Sequence, residues 1–276
     1  MNRTTILAGV LSLAAWGCSD APAPEDASLN AKQQAILEMK RATDHHSYSQ
    51  PDEARVVHLN WDATVDFDRR VITGTATYDI ACAADAERIL FDTKGLTIES
   101  ASVDGEPVEF NVGPEQAFIG QPLSIPVTGS AKQVAIQYAT SPDAGALLWV
   151  EGESPFLFTQ SQAILARTWV PCQDSPGIRF TYDATVHVPN NLMALMSATN
   201  PTEKSATGTY SFEMAQPIPS YLLALAVGDV EFREIGAHTG VYAVPELIDA
   251  AEYEFAEMED LLVAAEGLYG PYAWER

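Results

Sequence analysis

The sequence predicts a mainly β protein, folded as a large, curved and mostly antiparallel sheet or sandwich. Short runs of alternating apolar and polar residues recur from about residue 50 to residue 242. Turn residues such as Asp104-Gly105 and Asn190-Asn191 separate these runs. After Pro245 the apolar residues fall three and four apart instead, which is the spacing of a helix. We therefore expect a series of strands followed by one helix.

The first residues of the chain are predicted to be a targeting segment. Arg3 precedes an apolar run, Ile6 to Gly17, that is too short to be a permanent membrane-spanning helix and is typical of a signal peptide over residues 1–18. The order Ala15-Trp16-Gly17-Cys18 resembles a bacterial lipoprotein cleavage site, which makes Cys18 the predicted lipid anchor to a membrane. Ordinary signal cleavage without lipid remains the alternative.

Residues 19–50 are predicted to connect this signal to the sheet. They begin with SDAPAPED, a linker rich in proline and acidic residues, and continue with a short amphipathic helix over residues 28–41. A signal followed by a linker predicts an exported protein, located in the bacterial periplasm or held at the outer membrane as a lipoprotein.

The strands of residues 51–242 can be placed in order. The runs VVHLNWDATVDF and VITGTATYDIA, joined at Asp68-Arg69-Arg70, predict an antiparallel hairpin with one face in water. The strands predicted after it are ERILFD, LTIESASV, PVEFNV, LSIPV, KQVAIQYA, LLWV, FLFTQSQ, RFTYDATVHV, GTYSFEMA and SYLLALAVGDVEFREI. If FLFTQSQ is a strand, Gln160 and Gln162 lie on one face of it, so the two amides need a partner there.

Charge and cysteine content narrow the function classes. The formal charge is −23, from 38 acidic and 15 basic residues, and such a surface repels phosphate backbones, so nucleic acid is not an expected partner. Cys82 and Cys172 follow the predicted signal, and they could form one disulfide in an oxidising compartment or remain as two buried thiols. We expect free thiols, with Cys172 structural and not nucleophilic.

The last predicted element is one helix of about twenty residues, over residues 246–266. Its apolar stripe includes Leu247, Phe255, Met258 and Leu262, and no later segment of the chain is available to cover it. Such a helix is typical of the first element of a further domain.

The segment TQSQAILARTWVPCQDSPGIRFTY, residues 159–182, closely resembles the N-terminal β domain of zinc aminopeptidases of the aminopeptidase N type, in their leukotriene-hydrolase branch. Four more blocks agree in the same order, namely DHHSYSQPDEARVVHLNWDATVDF, PNNLMALMSA, QPIPSYLLALAVGDVEFREIG and GLYGPYAW. The resemblance runs from residue 44 to the end of the chain. It implies a saddle-like N-terminal β domain over residues 51–242, and it makes residues 243–276 the start of a truncated, thermolysin-like catalytic domain.

Members of this family remove single residues from peptide N-termini with a water activated on zinc. The metal is held by an H-E-x-x-H helix and a further glutamate, and a G-x-M-E-N loop orients the substrate. No two of the five histidines here are four residues apart, and neither motif is present. The resemblance therefore implies zinc in the full-length enzyme, but no metal ligand and no catalytic residue in this chain, which we expect to be inactive alone and to need the missing catalytic domain as its partner.

The resemblance also gives the glutamines a role. At the position matching Gln162, the family holds the free α-amine of the peptide substrate, and Gln160 would be its neighbour in the cleft. The alternative from the residues alone is that both amides bond across the sheet. Arg167 is predicted to form a structural ion pair with Asp174 or another acid, and His45-His46 is not predicted to bind metal, because adjacent side chains point apart.

The function predicted from these observations is the substrate-cleft domain of an exported zinc aminopeptidase. A second hypothesis is a stand-alone β-sandwich protein for binding or scaffolding, derived from an aminopeptidase.

Overall fold

The computed structural model describes residues 44–152 and 154–272, and these residues form a mainly β protein, as predicted. The predicted signal peptide, the lipid anchor at Cys18, and the helix over residues 28–41 lie outside the described residues. The first eight strands are β1 (Ala54–Asp66), β2 (Val71–Cys82), β3 (Arg88–Thr93), β4 (Thr97–Val103), β5 (Glu106–Val108), β6 (Asn111–Val112), β7 (Gln121–Pro126) and β8 (Gln133–Ala139).

The second half of the chain adds shorter strands and the helices. Its strands are β9 (Leu147–Val150), β10 (Phe156–Thr159), β11 (Arg179–His187), β12 (Met193–Met196), β13 (Thr209–Pro219), β14 (Leu225–Gly228), β15 (Glu231–Glu234) and β16 (Gly240–Ala243). Two short 3-10 helices cover Ala166–Thr168 and Ser220–Leu222, and the α-helices are α1 (Ile248–Glu254) and α2 (Met258–Tyr269).

The largest sheet has seven strands in the order β13-β11-β1-β2-β8-β4-β5. The predicted hairpin is its centre, because β1 and β2 pair antiparallel from Ala54 opposite Cys82 to Asp66 opposite Val71. On its other side β1 pairs with β11 in parallel, with His58 opposite Thr181. A parallel pair requires a long crossover, and here the crossover contains the nine strands β2 to β10.

Three smaller sheets complete the described fold. Their strand orders are β12-β14-β10-β9, β3-β7-β6 and β15-β16. The turn between β4 and β5 is the predicted Asp104-Gly105 pair, in which both residues have positive φ (51° and 87°), as a tight hairpin turn with the twist of its strands requires.

The core lies on one face of the seven-stranded sheet. In β1 the residues Leu59, Trp61, Ala63 and Val65 are buried, whereas the residues between them face outward, which is the alternation that the sequence shows. Trp61 meets the buried Trp169 edge to face, with ring centroids 5.4 Å apart. This contact joins the large sheet to the loop that follows β10.

The predicted C-terminal helical segment is present over residues 248–269, and a turn divides it into two parts. The chain forms α1 and α2, separated by a turn at Phe255, where the backbone leaves helical geometry (ψ 12°). The turn redirects the chain so that Met258 and Leu262 of α2 line a cavity of about 530 Å³ with Phe232 and Tyr242 of the β15-β16 hairpin. The helix therefore does not continue straight after α1, and α2 lies against the hairpin instead.

Polar contacts hold both helices to this hairpin. Arg233 of β15 forms ion pairs with Asp249 (3.3 Å) and Glu252 (3.2 Å) of α1. Glu259, in the first turn of α2, accepts hydrogen bonds from the His238 backbone N–H (3.2 Å) and from the Thr239 hydroxyl (2.8 Å). Within the described part of the chain, neither helix has the length and apolar content needed to cross a membrane.

Other strand assignments also differ from the prediction. The run PVEFNV is divided between β5 and β6, which belong to different sheets. The run SYLLALAVGDVEFREI is not one strand, because the 3-10 helix at Ser220–Leu222 precedes β14 and a turn at Asp229 separates β14 from β15. The strands β12 and β16 were not predicted. Each of them is only four residues long, which is too short for a period of two to be distinguished from chance.

Candidate functional site

The segment that carries the two glutamines is a turn and not a strand. Strand β10 ends at Thr159, so the prediction that Gln160 and Gln162 share a strand face is wrong. The cause is the buried Ser161 between them, whose hydroxyl donates to the Leu223 carbonyl (3.0 Å) and accepts from the Trp169 indole N–H (3.1 Å). These contacts pull the chain out of the sheet.

The two glutamine side chains have different surroundings, although both residues are exposed. The Gln160 side-chain oxygen accepts a hydrogen bond from the backbone N–H of Gln162 (3.0 Å), so this amide closes the turn locally. Gln162 instead lines an open groove of about 560 Å³. Neither amide therefore bonds across the sheet as in the alternative. The binding role of each residue stays a prediction.

The groove is formed by residues that are distant in sequence. Most of its lining surface is apolar, with a few polar groups. The lining residues are Asp44, His46, Gln162, Ala163, Ile164, Pro176 and Tyr221. Mostly apolar walls with a few polar groups are typical of sites for small organic ligands.

A buried ion-pair network lies beside the groove and centres on Arg167. Its guanidinium is fully buried and donates from Nε to Asp174 Oδ2 (3.0 Å). It also donates to the backbone carbonyls of Ile119 (2.6 Å), His46 (2.8 Å) and Asp174 (3.1 Å). The predicted ion pair between Arg167 and Asp174 is present. Because Arg167 binds the carbonyl of His46, the network also fixes one wall of the groove.

A second carboxylate, Asp92, completes the network. It is fully buried and lies 3.7 Å from the Arg167 guanidinium. It accepts hydrogen bonds from the Tyr48 backbone N–H (2.7 Å), the Ser47 hydroxyl (2.6 Å) and the Asp174 backbone N–H (2.9 Å). Burial raises the pKa of the Asp92 carboxyl above its ordinary value, and the positive charge of Arg167 opposes that shift.

Gln173, a third glutamine that sequence reasoning did not single out, is fully buried next to this network. Its amide donates to the carbonyls of Ala54 (2.9 Å) and Leu90 (3.2 Å) and accepts from the N–H of Val56 (2.9 Å), so it joins β1 to β3. The PCQDSP segment is therefore an anchor that holds the glutamine turn.

In the part of the chain that the structure describes, the cysteines and histidines do not form a reactive centre. Cys82 and Cys172 are free thiols, and burial raises the pKa of Cys172 well above its ordinary value, so the thiolate required of a nucleophile is disfavoured. His45 and His46 are exposed. Across residues 44–152 and 154–272, no group of three or more histidine, cysteine, aspartate or glutamate residues is arranged to hold a metal ion. The described residues therefore do not fit a zinc site.

Sequence reasoning did not identify Asp44 or Tyr221 as groove residues. Nothing in the local pattern of either residue indicates it, because each comes to Gln162 through the tertiary fold. The one available signal was that both lie in blocks that resemble the same family, DHHSYSQ and PIPSYLL.

The chain is similar to known proteins over most of its length. The family model described as the peptidase M1 N-terminal domain matches residues 46–222. Leukotriene A-4 hydrolase of Xenopus laevis is 38% identical over 248 residues, which are 84% of this chain and 41% of that protein. Leucine aminopeptidase 2 of Yarrowia lipolytica is 34% identical over 222 residues, 77% of this chain and 34% of that protein.

Solved structures agree in fold. Native yeast LTA4 hydrolase superposes with a TM-score of 0.80 at 26% identity, over 89% of this chain and 40% of that one. An M1 zinc metallopeptidase from Deinococcus radiodurans gives a TM-score of 0.62 at 22% identity, over 83% of this chain and 57% of that one. The chain thus spans roughly two fifths of the length of the leukotriene hydrolases that it matches.

Proposed function

The chain belongs to the M1 peptidase family, and from this premise we propose that it is the N-terminal substrate-cleft domain of an exported zinc aminopeptidase that removes N-terminal residues from peptides. The family assignment rests on the match of residues 46–222 to the M1 N-terminal domain. The reaction is that of a longer protein, because the chain spans 41% of its leukotriene hydrolase relative and 34% of its leucine aminopeptidase relative.

The observation that supports this function most directly is the position of Gln162. Its side chain is exposed and lines the groove, and neither side of the β sheet buries it. An amide oxygen can accept a hydrogen bond from the free α-ammonium group of a peptide, and the amide nitrogen can donate to a peptide carbonyl. We assign Gln162 to recognition of the peptide N-terminus, with Gln160 as the residue that holds its turn in place.

The exposed side of the helices supports a partner domain. Leu261, Leu268 and Tyr269 of α2 are 67%, 76% and 86% exposed, which is unusual for large apolar side chains on a finished surface. We propose that a zinc-bearing catalytic domain covers this surface and forms the opposite wall of the groove. The zinc ligands and the general base belong to that domain, so this chain contributes binding and orientation of the substrate and no proton transfer.

Export is part of the proposal and rests on residues 1–18 alone. If Cys18 is lipidated, metabolic labelling with a fatty acid marks the protein, and the Cys18→Ala variant loses the label. Labelling that survives this substitution would contradict the assignment of the anchor.

The first test of the function is an assay of the chain itself. With leucyl anilide as substrate and zinc added, we expect no hydrolysis above the uncatalysed rate, because binding groups without a metal or base stabilise the transition state little. The complete reading frame that contains residues 1–276 is then expressed, and its product is expected to hydrolyse the same substrate. Hydrolysis by the chain alone, or none by the complete product, contradicts the proposal, and the second result favours the scaffold hypothesis.

The second test concerns Gln162 in the complete product. Gln162→Ala removes a hydrogen bond to a charged group, which is worth about 1.5–3 kcal/mol, so kcat/KM for leucyl anilide is expected to fall by roughly tenfold or more. Gln137→Ala, an exposed glutamine on β8 of the large sheet, is the matched control and should leave kcat/KM unchanged. Equal values for both variants would remove Gln162 from the substrate site.

A further inference from the structure

The groove that Gln162 lines has an excess of negative charge. Asp44 lies at the groove itself, and Asp92 and Asp174 lie in the buried network beside it. Among the described residues, Arg167 is the guanidinium that contacts this network, and it lies against Asp92 and Asp174. The two buried carboxylates share one guanidinium, and Asp44 at the groove adds a third negative charge, which favours a cation as the charged part of any ligand in the groove.

Asp44 is the carboxylate of this group that a ligand can reach. It is half-buried, whereas Asp92 and Asp174 are 0% and 1% exposed. Its oxygens accept one hydrogen bond each, from the Ser175 hydroxyl (2.7 Å) and from the His46 backbone N–H (2.9 Å). Because a carboxylate has about four acceptor positions, these two bonds fix its orientation and leave room for a ligand.

The same contacts keep Asp44 ionised. Burial alone would raise the pKa of this carboxyl, but the hydrogen bonds from Ser175 and His46, together with the nearby His46 and Arg167 side chains, outweigh burial and lower the pKa below its ordinary value. Asp44 is therefore a negative charge throughout the neutral pH range. The amide of Gln162 is neutral at every pH.

We propose that Asp44 is a specificity-determining residue of this groove, and that its carboxylate binds the α-ammonium group of a peptide N-terminus while Gln162 orients that group. This inference rests on the proposed function. It assigns recognition of the positive charge on the peptide N-terminus to Asp44, a residue that precedes the first strand of the chain. The physical reason is that a hydrogen bond between an ammonium and a carboxylate is charge-assisted and about twice as strong as one between neutral groups. A neutral amide alone is expected to distinguish a ligand with an α-ammonium group from one without it less well than a carboxylate does.

The test compares two small ligands that differ only in the amine. Leucinamide carries the α-ammonium group, and 4-methylpentanamide is the same molecule without it. Their dissociation constants are measured on the 276-residue chain by the shifts of the backbone N–H signals of Ala163 and Ile164, which line the groove. For the unmodified chain we expect leucinamide to bind more tightly than 4-methylpentanamide.

The variants separate charge from structure. Asp44→Asn keeps an acceptor for the His46 N–H but removes the charge, so leucinamide is expected to bind about tenfold more weakly while 4-methylpentanamide binds as before. Asp44→Glu should restore most of the preference for the amine. Asp52→Asn, which removes an exposed carboxylate outside the groove lining, is the matched control and should change neither constant.

Three results would overturn the inference. In the first, the Asp44→Asn chain still prefers leucinamide to the same extent. In the second, both ligands lose affinity equally in that variant, which would mark a structural role. In the third, the groove signals of the unmodified chain do not respond to leucinamide. The proposed function fails by a different observation, which is the absence of hydrolysis by the complete product. An active product with an unchanged preference in Asp44→Asn leaves the function in place and rejects only the role of Asp44.

Discussion

Replacing Arg167 with methionine is expected to destabilise the protein by about 3–5 kcal/mol, because it leaves two buried carboxylates without their cation. Asp92 and Asp174 are both within 4.0 Å of the guanidinium, and three backbone carbonyls also lose their donor. Methionine fills a similar volume, so the decrease in the free energy of unfolding reflects the lost charge and hydrogen bonds more than an empty cavity. Urea unfolding followed by circular dichroism gives the free energy of unfolding from the midpoint and slope.

Two controls make the Arg167 prediction specific. Arg179→Met removes an exposed arginine at the start of β11 and should change the free energy of unfolding by less than about 0.5 kcal/mol. The triple variant Arg167→Met, Asp92→Asn, Asp174→Asn removes the unpaired charges as well, and we expect it to recover part of the lost stability. If Arg167→Met unfolds at the same urea concentration as the unmodified chain, the network is not a determinant of stability.

Trp169→Ala is the second large effect, with an expected loss of about 3–5 kcal/mol in the free energy of unfolding. The side chain is fully buried against Trp61, so the substitution leaves a cavity between the large sheet and the glutamine turn. It also removes the indole N–H that donates to Ser161, the residue that holds the turn. Hydrogen exchange of Leu165, whose N–H bonds to the Ser161 carbonyl, should therefore accelerate.

The comparison variants for Trp169 are chosen by size and exposure. Trp169→Phe keeps most of the buried volume and should cost less than Trp169→Ala, while still releasing Ser161. Tyr253→Ala removes an aromatic ring that is 84% exposed on α1 and should leave stability nearly unchanged. A Trp169→Ala chain as stable as Tyr253→Ala would show that this contact does not support the fold.

The large hairpin could be predicted from the sequence because the residues that determine it are close together in the chain. In β1, every second residue from Leu59 to Val65 is buried, so the alternation in the sequence directly reports which face meets the core. The same applies to the Asp104-Gly105 turn, where the residue types determine the backbone conformation. The fold class followed from many such local signals, and the structure agrees with it.

The glutamine turn could not be predicted in the same way. FLFTQSQ continues the alternation of a strand, but the structure ends the strand at Thr159 because Ser161 bonds to Leu223, 62 residues further along. No local pattern contains a contact of that kind. Asp44 reaches the same groove through the Ser175 hydroxyl, 131 residues away, so its place beside Gln162 also required the tertiary structure.

The parallel pairing of β1 with β11 has a consequence for how the chain is made. His58 and Thr181 are neighbours across these strands, yet they are 123 residues apart in sequence. At ordinary ribosomal speeds of about 5–20 residues per second, one edge of β1 emerges on the order of ten seconds before its partner exists. A nascent chain is thus exposed to wrong strand pairing during this interval, and a chaperone that shields the first hairpin would raise the yield of correctly folded protein.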